Sequence, residues 1–284
     1  MSLHYWVLTD NRPSTVSSEL EIEHGLCLLL KTDQHTFLLD TGASDVFVRN
    51  AARLHLDLKE VDYVFLSHAH ADHTGGLKAF LEINHRAKII ASPHVLDRSC
   101  FSTRRGGLRP IGIPLDLTPW MDRFVPVEDA LRLDEAFFYA CTSTQFASPL
   151  ANRHLWMDSG QGREKDDFSH ELVACFGTDD AFVFTGCAHK GLLNILDRYR
   201  DRLQHVPKWV VGGFHLLDST NEDRYETDEE LREIAREMNR TYSKTDFTTG
   251  HCTGDHSFSI LTATFGNQID LLEVGKHVVY EGRF

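Results

Sequence analysis

The stretch YVFLSHAHADHTGGL, residues 63–77, sets the strongest constraint on what this chain can build. An apolar run leads straight into His68, His70, Asp72 and His73, and Gly75 and Gly76 follow. A packed core has no use for so many imidazoles, because every buried polar group needs a partner. Neutral imidazole nitrogens are common metal ligands, and a carboxylate adds a hard anionic donor. Side chains alternate along a strand, so at its end His68 and His70 point the same way. The chain then turns into a helix, where Asp72 and His73 are offset from that pair and can serve a second cation. The two glycines permit close backbone approach there.

One cluster cannot complete such a site. A zinc ion in a hydrolytic centre takes about three protein ligands and keeps one position open. The remaining donors must come from the ends of later strands. Three stretches have the right form: FVFTGCAHKG offers His189, WVVGGFHL offers His215 and FTTGHCTG offers His251. Each follows an apolar run and one or more glycines. A lone histidine in that context is more often structural than ligating. Three of them imply a fold that gathers strand ends at one rim.

The rest of the chain fits a sheet-based fold. Strand-like runs occur at 5–10, 25–32, 36–40, 63–67, 87–92, 172–177, 181–186, 208–214, 246–250 and 269–280. Helical patterns occupy 43–56, 76–84, 190–203 and 228–242, the last with acidic residues in its first turn. Strands come first in hairpin-like succession and later alternate with helices. That reads as α/β or α+β, with helices outside a sheet. The 284 residues form a single domain on this reading, with an irregular insertion or lid at about 99–170 that holds RRGGLRPIGIP and DSGQGREKDD.

Charge and cysteine usage narrow the partners. Lys+Arg number 29 against Asp+Glu 42, a net charge of −13, which repels phosphate backbones and argues against nucleic acid. Six cysteines show no CxxC spacing, which points to a reducing compartment. No run approaches the length of a membrane span, and MSLHYWVLTD lacks the marks of a signal peptide. The expectation is a cytoplasmic protein with a small-molecule substrate and no membrane partner. Oligomeric state is not legible.

These residues carry a family resemblance. SHAHADHTGG resembles the HxHxDH signature of the metallo-β-lactamase superfamily, and TFLLDTG is similar to its strand-ending Asp-Thr-Gly motif. The blocks EHGLCLLL, LLDTG, SHAHADHTGGL, TGCAHKGLLNIL, VVGGFHL and TGHCTG occur in this order. They resemble the branch grouped with the dihydropterin-6-methyl-(ribofuranosyl)aminobenzene 5′-phosphate synthase of methanopterin biosynthesis. The resemblance is loosest between residues 99 and 165. It implies the four-layer αββα sandwich, with metals at the shared edge of two halves. It implies His68, His70 and His189 around one cation, and Asp72, His73 and His251 around the other. Asp40 would stand behind them and orient a ligand histidine. Glu171 is a candidate for a similar supporting role or for a salt bridge.

The chain departs from the wider pattern twice. It has no HTPGHT-like stretch, and TGC at Cys187 stands where many members have TGD, whose aspartate bridges the metals. Cys187 is a candidate ligand, since thiolate is a good zinc donor, or simply a buried small residue. Asp167 is the other candidate for bridging. His215 is read as facing the substrate or moving a proton, and His24 as a rim or structural residue.

The implied chemistry is metal-dependent hydrolysis with one or two Zn2+ ions, Mn2+ or Fe2+ being alternatives. A bound metal lowers the pKa of water from 15.7 to about 7. Asp72 and His215 are the catalytic candidates, and the substrate class is a small ester, lactone or phosphodiester. Arg104, Arg105 and Arg109 could meet an anionic or phosphorylated substrate. The same centre would suit a pterin-type synthase or lyase, an iron-dependent redox protein, or a metal-stabilised binding protein.

Overall fold

The computed structural model describes residues 2–104 and 106–282. Two seven-stranded sheets form its middle. In spatial order the first holds His277–Glu281, Ser2–Thr9, Cys27–Lys31, Thr36–Leu39, Tyr63–Phe65, Lys88–Ala91 and Phe124–Pro126. The second holds Ile269–Leu271, Asp246–Thr249, Trp209–Gly212, Phe182–Phe184, Leu172–Phe176, Ala136–Ala140 and Ala130–Leu133.

The strand sequences explain the layering. Both faces are buried, so the strands read as near-continuous apolar runs, and the period of two only decides which layer each residue joins. Leu28, Leu30, Phe37 and Leu39 pack between the sheets with Phe138, Phe176, Phe182 and Phe184. Their neighbours Cys27, Leu29 and Leu38 face the other way, against Phe47, Leu77 and Phe80 of the helices Val46–Arg53 and Leu77–Ile83. On the far side, Val173, Cys175, Val183 and Val210 pack against helices Leu192–Leu203, Asp228–Tyr242 and Asp255–Phe265. The order is helix, sheet, sheet, helix. Each fully buried Leu or Phe contributes about 1.5–3 kcal/mol, so this middle, not the polar rim, supplies the folding free energy.

Four strands of each sheet run parallel. They are Thr36–Leu39 through Phe124–Pro126 in the first sheet and Phe182–Phe184 through Ile269–Leu271 in the second. Crevices outside the carboxyl ends of parallel strands are where α/β sheets hold ligands. The histidine-bearing segments follow those ends in both sheets.

The helix expected at 228–242 is found at Asp228–Tyr242, opened by a capping box in which Thr227 and Glu230 bond reciprocally. Three expectations change. Residues 269–280 are not one strand. Ile269–Leu271 belongs to the second sheet, and His277–Glu281 crosses to the edge of the first. Residues 99–170 are not irregular, for they add strands to both large sheets and build a separate four-stranded sheet from Ser99–Ser102, Arg109–Pro110, Leu155–Asp158 and Arg163–Lys165. Helix Asp255–Phe265, whose residues lack a polar–apolar alternation of helical period, was not expected from the sequence. Among the described residues no helix is long and apolar enough to cross a membrane.

Candidate metal centre

Strand Tyr63–Phe65 ends below Ser67, and a short turn and helix, Ala71–Thr74, carry the chain onward. Gly76 is required at the next step. A Cβ there would lie 2.1 Å from the Thr41 carbonyl oxygen, so only glycine lets the segment press against the Asp40 loop. Asp40 sits in the left-handed region (φ 58°) and faces the cluster. Its Oδ1 accepts from the Ser67 backbone N–H, and its Oδ2 accepts from the Ser67 hydroxyl and from His73 Nδ1, all at 2.7 Å.

These bonds assign the ring protons. Because the Asp40 carboxylate only accepts, the His73 proton is on Nδ1 and the lone pair is on Nε2. The Ser67 hydroxyl proton is committed to Asp40, so its oxygen accepts from His68 Nδ1 at 2.9 Å, which leaves the His68 lone pair on Nε2. The second half of the chain repeats the device with amides. Asn152 donates its Nδ2 to the His189 carbonyl and accepts from His189 Nδ1 at 3.2 Å. Asn11 donates to the His251 carbonyl and accepts from His251 Nδ1 at 3.1 Å.

The four lone pairs therefore point inward, in two pairs. His68 Nε2 stands 3.3 Å from His189 Nε2, and His73 Nε2 stands 3.1 Å from His251 Nε2. Two lone pairs at such distances repel unless positive charge lies between or beside them. This donor set fits a cation at each pair.

The electrostatics agree. Burial, then the neighbouring histidines, push His68 and His189 well below the ordinary histidine pKa, which keeps them neutral and ready to ligate. Burial also pulls His251 down, but the Asp72 carboxylate more than offsets it and raises it to about 9. Without a metal, a proton on His251 supplies the positive charge this pair demands. Burial opposes ionisation of Asp72, and His251 and His73 reverse that effect and hold it well below the usual carboxylate range. Asp72 Oδ2 lies 3.4 Å from His251 Nε2 and 3.3 Å from His24 Nε2. His24 is exposed, at the mouth of the site.

His70 faces a neighbouring group. Its Nε2 is buried without a hydrogen-bond partner, 3.8 Å from Asp166 Oδ2, while its ring lies 4.6 Å from that of His68 and 4.8 Å from that of His189. His170 Nδ1 accepts the Ala69 N–H at 3.2 Å, so the His170 proton is on Nε2, which reaches Asp166 at 3.1 Å. Burial opposes ionisation of Asp166, but His170 and His70 hold it well below the usual carboxylate range. Against its own burial, His70 is raised to about 9 by Asp166 and Cys100. Cys100 Sγ lies 3.7 Å from His170 Nε2.

Cys187 stands at the meeting point. Its Sγ is 3.1 Å from His73 Nε2, and it completes ligand-sized groups with His68 and His189, with His73 and His251, and with His215 and Cys252. Glu171 accepts from the backbone N–H groups of His189 and Lys190 at 2.6 and 2.8 Å, which fixes the loop rather than the imidazole ring. Burial raises Glu171 to about 7 despite these donors.

Other expected residues lie elsewhere. Asp167 is in none of the metal-capable groups given above; its Oδ1 accepts from the Ser169 N–H, and its neighbour Asp166 is the buried one. Arg104 lies over the Tyr225 ring at 5.8 Å, and Arg109 donates to the Arg104 carbonyl. Arg105 lies outside the described residues. Asn11, Asn152, Asp166, His170, Cys100 and Cys252 were not found from the sequence. Asn and Asp are so common in turns that single ones carry no signal, although HCTG did place Cys252 directly beside a candidate ligand.

Comparison with known proteins places the architecture. The sequence model of the Metallo-beta-lactamase superfamily matches residues 21–122. The solved structure of Tm1679, a metal-dependent hydrolase of the beta-lactamase superfamily, superposes with a TM-score of 0.79 at 26% identity, covering 97% of this chain and 98% of that one. The chain has the metallo-beta-lactamase fold, and its residues 21–122 match that superfamily's sequence model. It is 25% identical over 282 residues to the 7,8-dihydropterin-6-methyl-4-(beta-D-ribofuranosyl)-aminobenzene-5'-phosphate synthase of Methanocaldococcus jannaschii, with 91% of this chain and 90% of the synthase covered. An uncharacterized protein of the same organism is 25% identical over 214 residues, covering 74% of this chain and 78% of that protein. The metallo-beta-lactamase fold accounts for the two sheets and for the rim at which their strand ends meet.

Proposed function

We propose that this chain is a metal-dependent hydrolase of a small ester, lactone or phosphodiester, with two cations of the zinc class. The observation that supports the reading most is the pair of facing Nε2 contacts, His68–His189 and His73–His251. His68, His70 and His189 would hold one cation, and Asp72, His73 and His251 the other, with Cys187 between them. When bound, such cations supply Lewis acidity, which lowers the pKa of water towards 7 and offsets negative charge developing on a substrate oxygen.

The chain's own groups do the rest. Asp40, Asn152 and Asn11 fix each ring so that no reorganisation accompanies ligation, an outer role worth roughly 10–100-fold in metal affinity. Phe168 stacks on His189 with centroids 4.6 Å apart and shields that side from water. His24, at the open mouth, is placed to contact a substrate that approaches Asp72.

A second reading is favoured by the synthase relative, which matches over nine-tenths of the chain. In it the same centre serves a pterin-type synthase or lyase. Turnover of a chromogenic phosphodiester by the metal-loaded protein separates the two. The hydrolase reading expects turnover that is lost in His68→Ala. A loaded protein that leaves esters, lactones and phosphodiesters intact contradicts it.

A further inference from the structure

We propose that Cys187, Cys252 and His215 form a sulfur-bearing cation position beside the histidine pairs, one that takes a thiophilic cation of the Zn2+ or Cu(I) kind. Their ligating atoms lie within 4.8 Å of one another, and all three residues are buried. Neither ring nitrogen of His215 has a hydrogen-bond partner, although the residue is only 7% exposed. A buried imidazole with both nitrogens unpaired carries a desolvation cost, which ligation through one nitrogen reduces. The backbone is shaped to keep it there. His215 is held in the left-handed region (φ 51°), an unfavourable conformation for a residue with a Cβ.

The sulfurs are equally placed. Cys252 Sγ lies 3.6 Å from the Cys187 carbonyl oxygen. It occupies space opened by a glycine, since a Cβ on Gly213 would lie 2.3 Å from that sulfur. Charge balance suits this group, since two thiolates and a neutral imidazole neutralise a dication such as Zn2+. Soft thiolate donors select thiophilic ions over magnesium or calcium. Three protein ligands leave a fourth position open. The assignment gives His215 a ligand's role in place of the proton-moving role expected from the sequence, and it does not depend on hydrolysis.

Cobalt(II) titration of the metal-stripped, full-length chain, kept reduced with a phosphine, tests the proposal. Thiolate-to-cobalt charge transfer absorbs in the near ultraviolet, where histidine ligation gives no such band. The wild type should show the band, Cys252→Ser should lose roughly half of it, and His68→Ala should retain it. His215→Ala should weaken cobalt binding at this band while the visible ligand-field absorption from the histidine pairs persists, which also reports that the variants fold. A wild type without the band, or a Cys252→Ser spectrum equal to it, would overturn the assignment. Turnover is measured separately, so an inactive protein with an intact band contradicts only the hydrolase reading.

Discussion

The two halves of the rim position their candidate ligands in different ways. In the first half His68, His70, Asp72 and His73 come from one segment of six residues, and a single carboxylate, Asp40, anchors both Ser67 and His73. In the second half His189, His215 and His251 come from three separate loops, and two of these rings have their own support: Asn152 and Glu171 for His189, Asn11 for His251. Four imidazoles of similar geometry thus rest on one shared anchor and on two independent ones. The difference teaches that damage to the first half should spread to both cations, while damage to the second should stay local.

The largest effects come from the ligands themselves. His68→Ala and His251→Ala should each lower affinity for one cation by more than the roughly 10–100-fold of an outer partner, with far-ultraviolet circular dichroism unchanged. A two-site chelator competition reads both constants. Next in size, Asp40→Asn should weaken both cations by close to ~100-fold, because it frees the His73 ring and, through Ser67, the His68 ring. Asn152→Ala and Asn11→Ala should each weaken one cation by about tenfold. Equal loss at both cations in Asn152→Ala would break the comparison.

A pH effect follows from His251, whose metal-free pKa of about 9 lies above its ordinary 6.5. Cation binding must displace that proton, so apparent affinity should rise by about tenfold per pH unit up to pH 9 and flatten above it. The same shift contributes stability to the metal-free fold that is complete below about pH 6.5 and lost as pH rises through 9. Titration of cobalt between pH 7 and 10 measures the slope. His251→Gln should remove the part at its own cation while leaving the part due to His70, which, against burial, Asp166 and Cys100 raise to about 9. The smallest effect on the centre should come from Thr227→Ala. Loss of the cap should cost about 1 kcal/mol in urea unfolding and leave metal affinity unchanged.

This asymmetry also explains what the sequence revealed. The contiguous cluster is legible because strand alternation and a following turn place neighbouring residues without help from the rest of the fold. His189 and His251 could be proposed only from a shared context of apolar run, glycine and histidine, and their meeting with the first half depends on how two sheets pack. Asn11 and Asn152 were invisible. An asparagine in a loop or a short 3-10 turn has many uses, and only three-dimensional proximity shows which ring it holds. Cys187 was read as a small buried residue or a ligand, and its Sγ stands 3.1 Å from His73 Nε2. Asp167 was the candidate from the sequence, whereas Asp166 is the carboxylate that turns inward, a one-residue difference in a loop that follows no regular period. Residues 99–170 looked irregular because their strands are short and several carry exposed charge, as in Arg163–Lys165.

Anomalous diffraction at the zinc or cobalt absorption edge tests the central claim most directly. The account predicts one peak between the His68 and His189 ring nitrogens and another between those of His73 and His251. Crystals grown with the metal in excess that show water alone at both positions would contradict it.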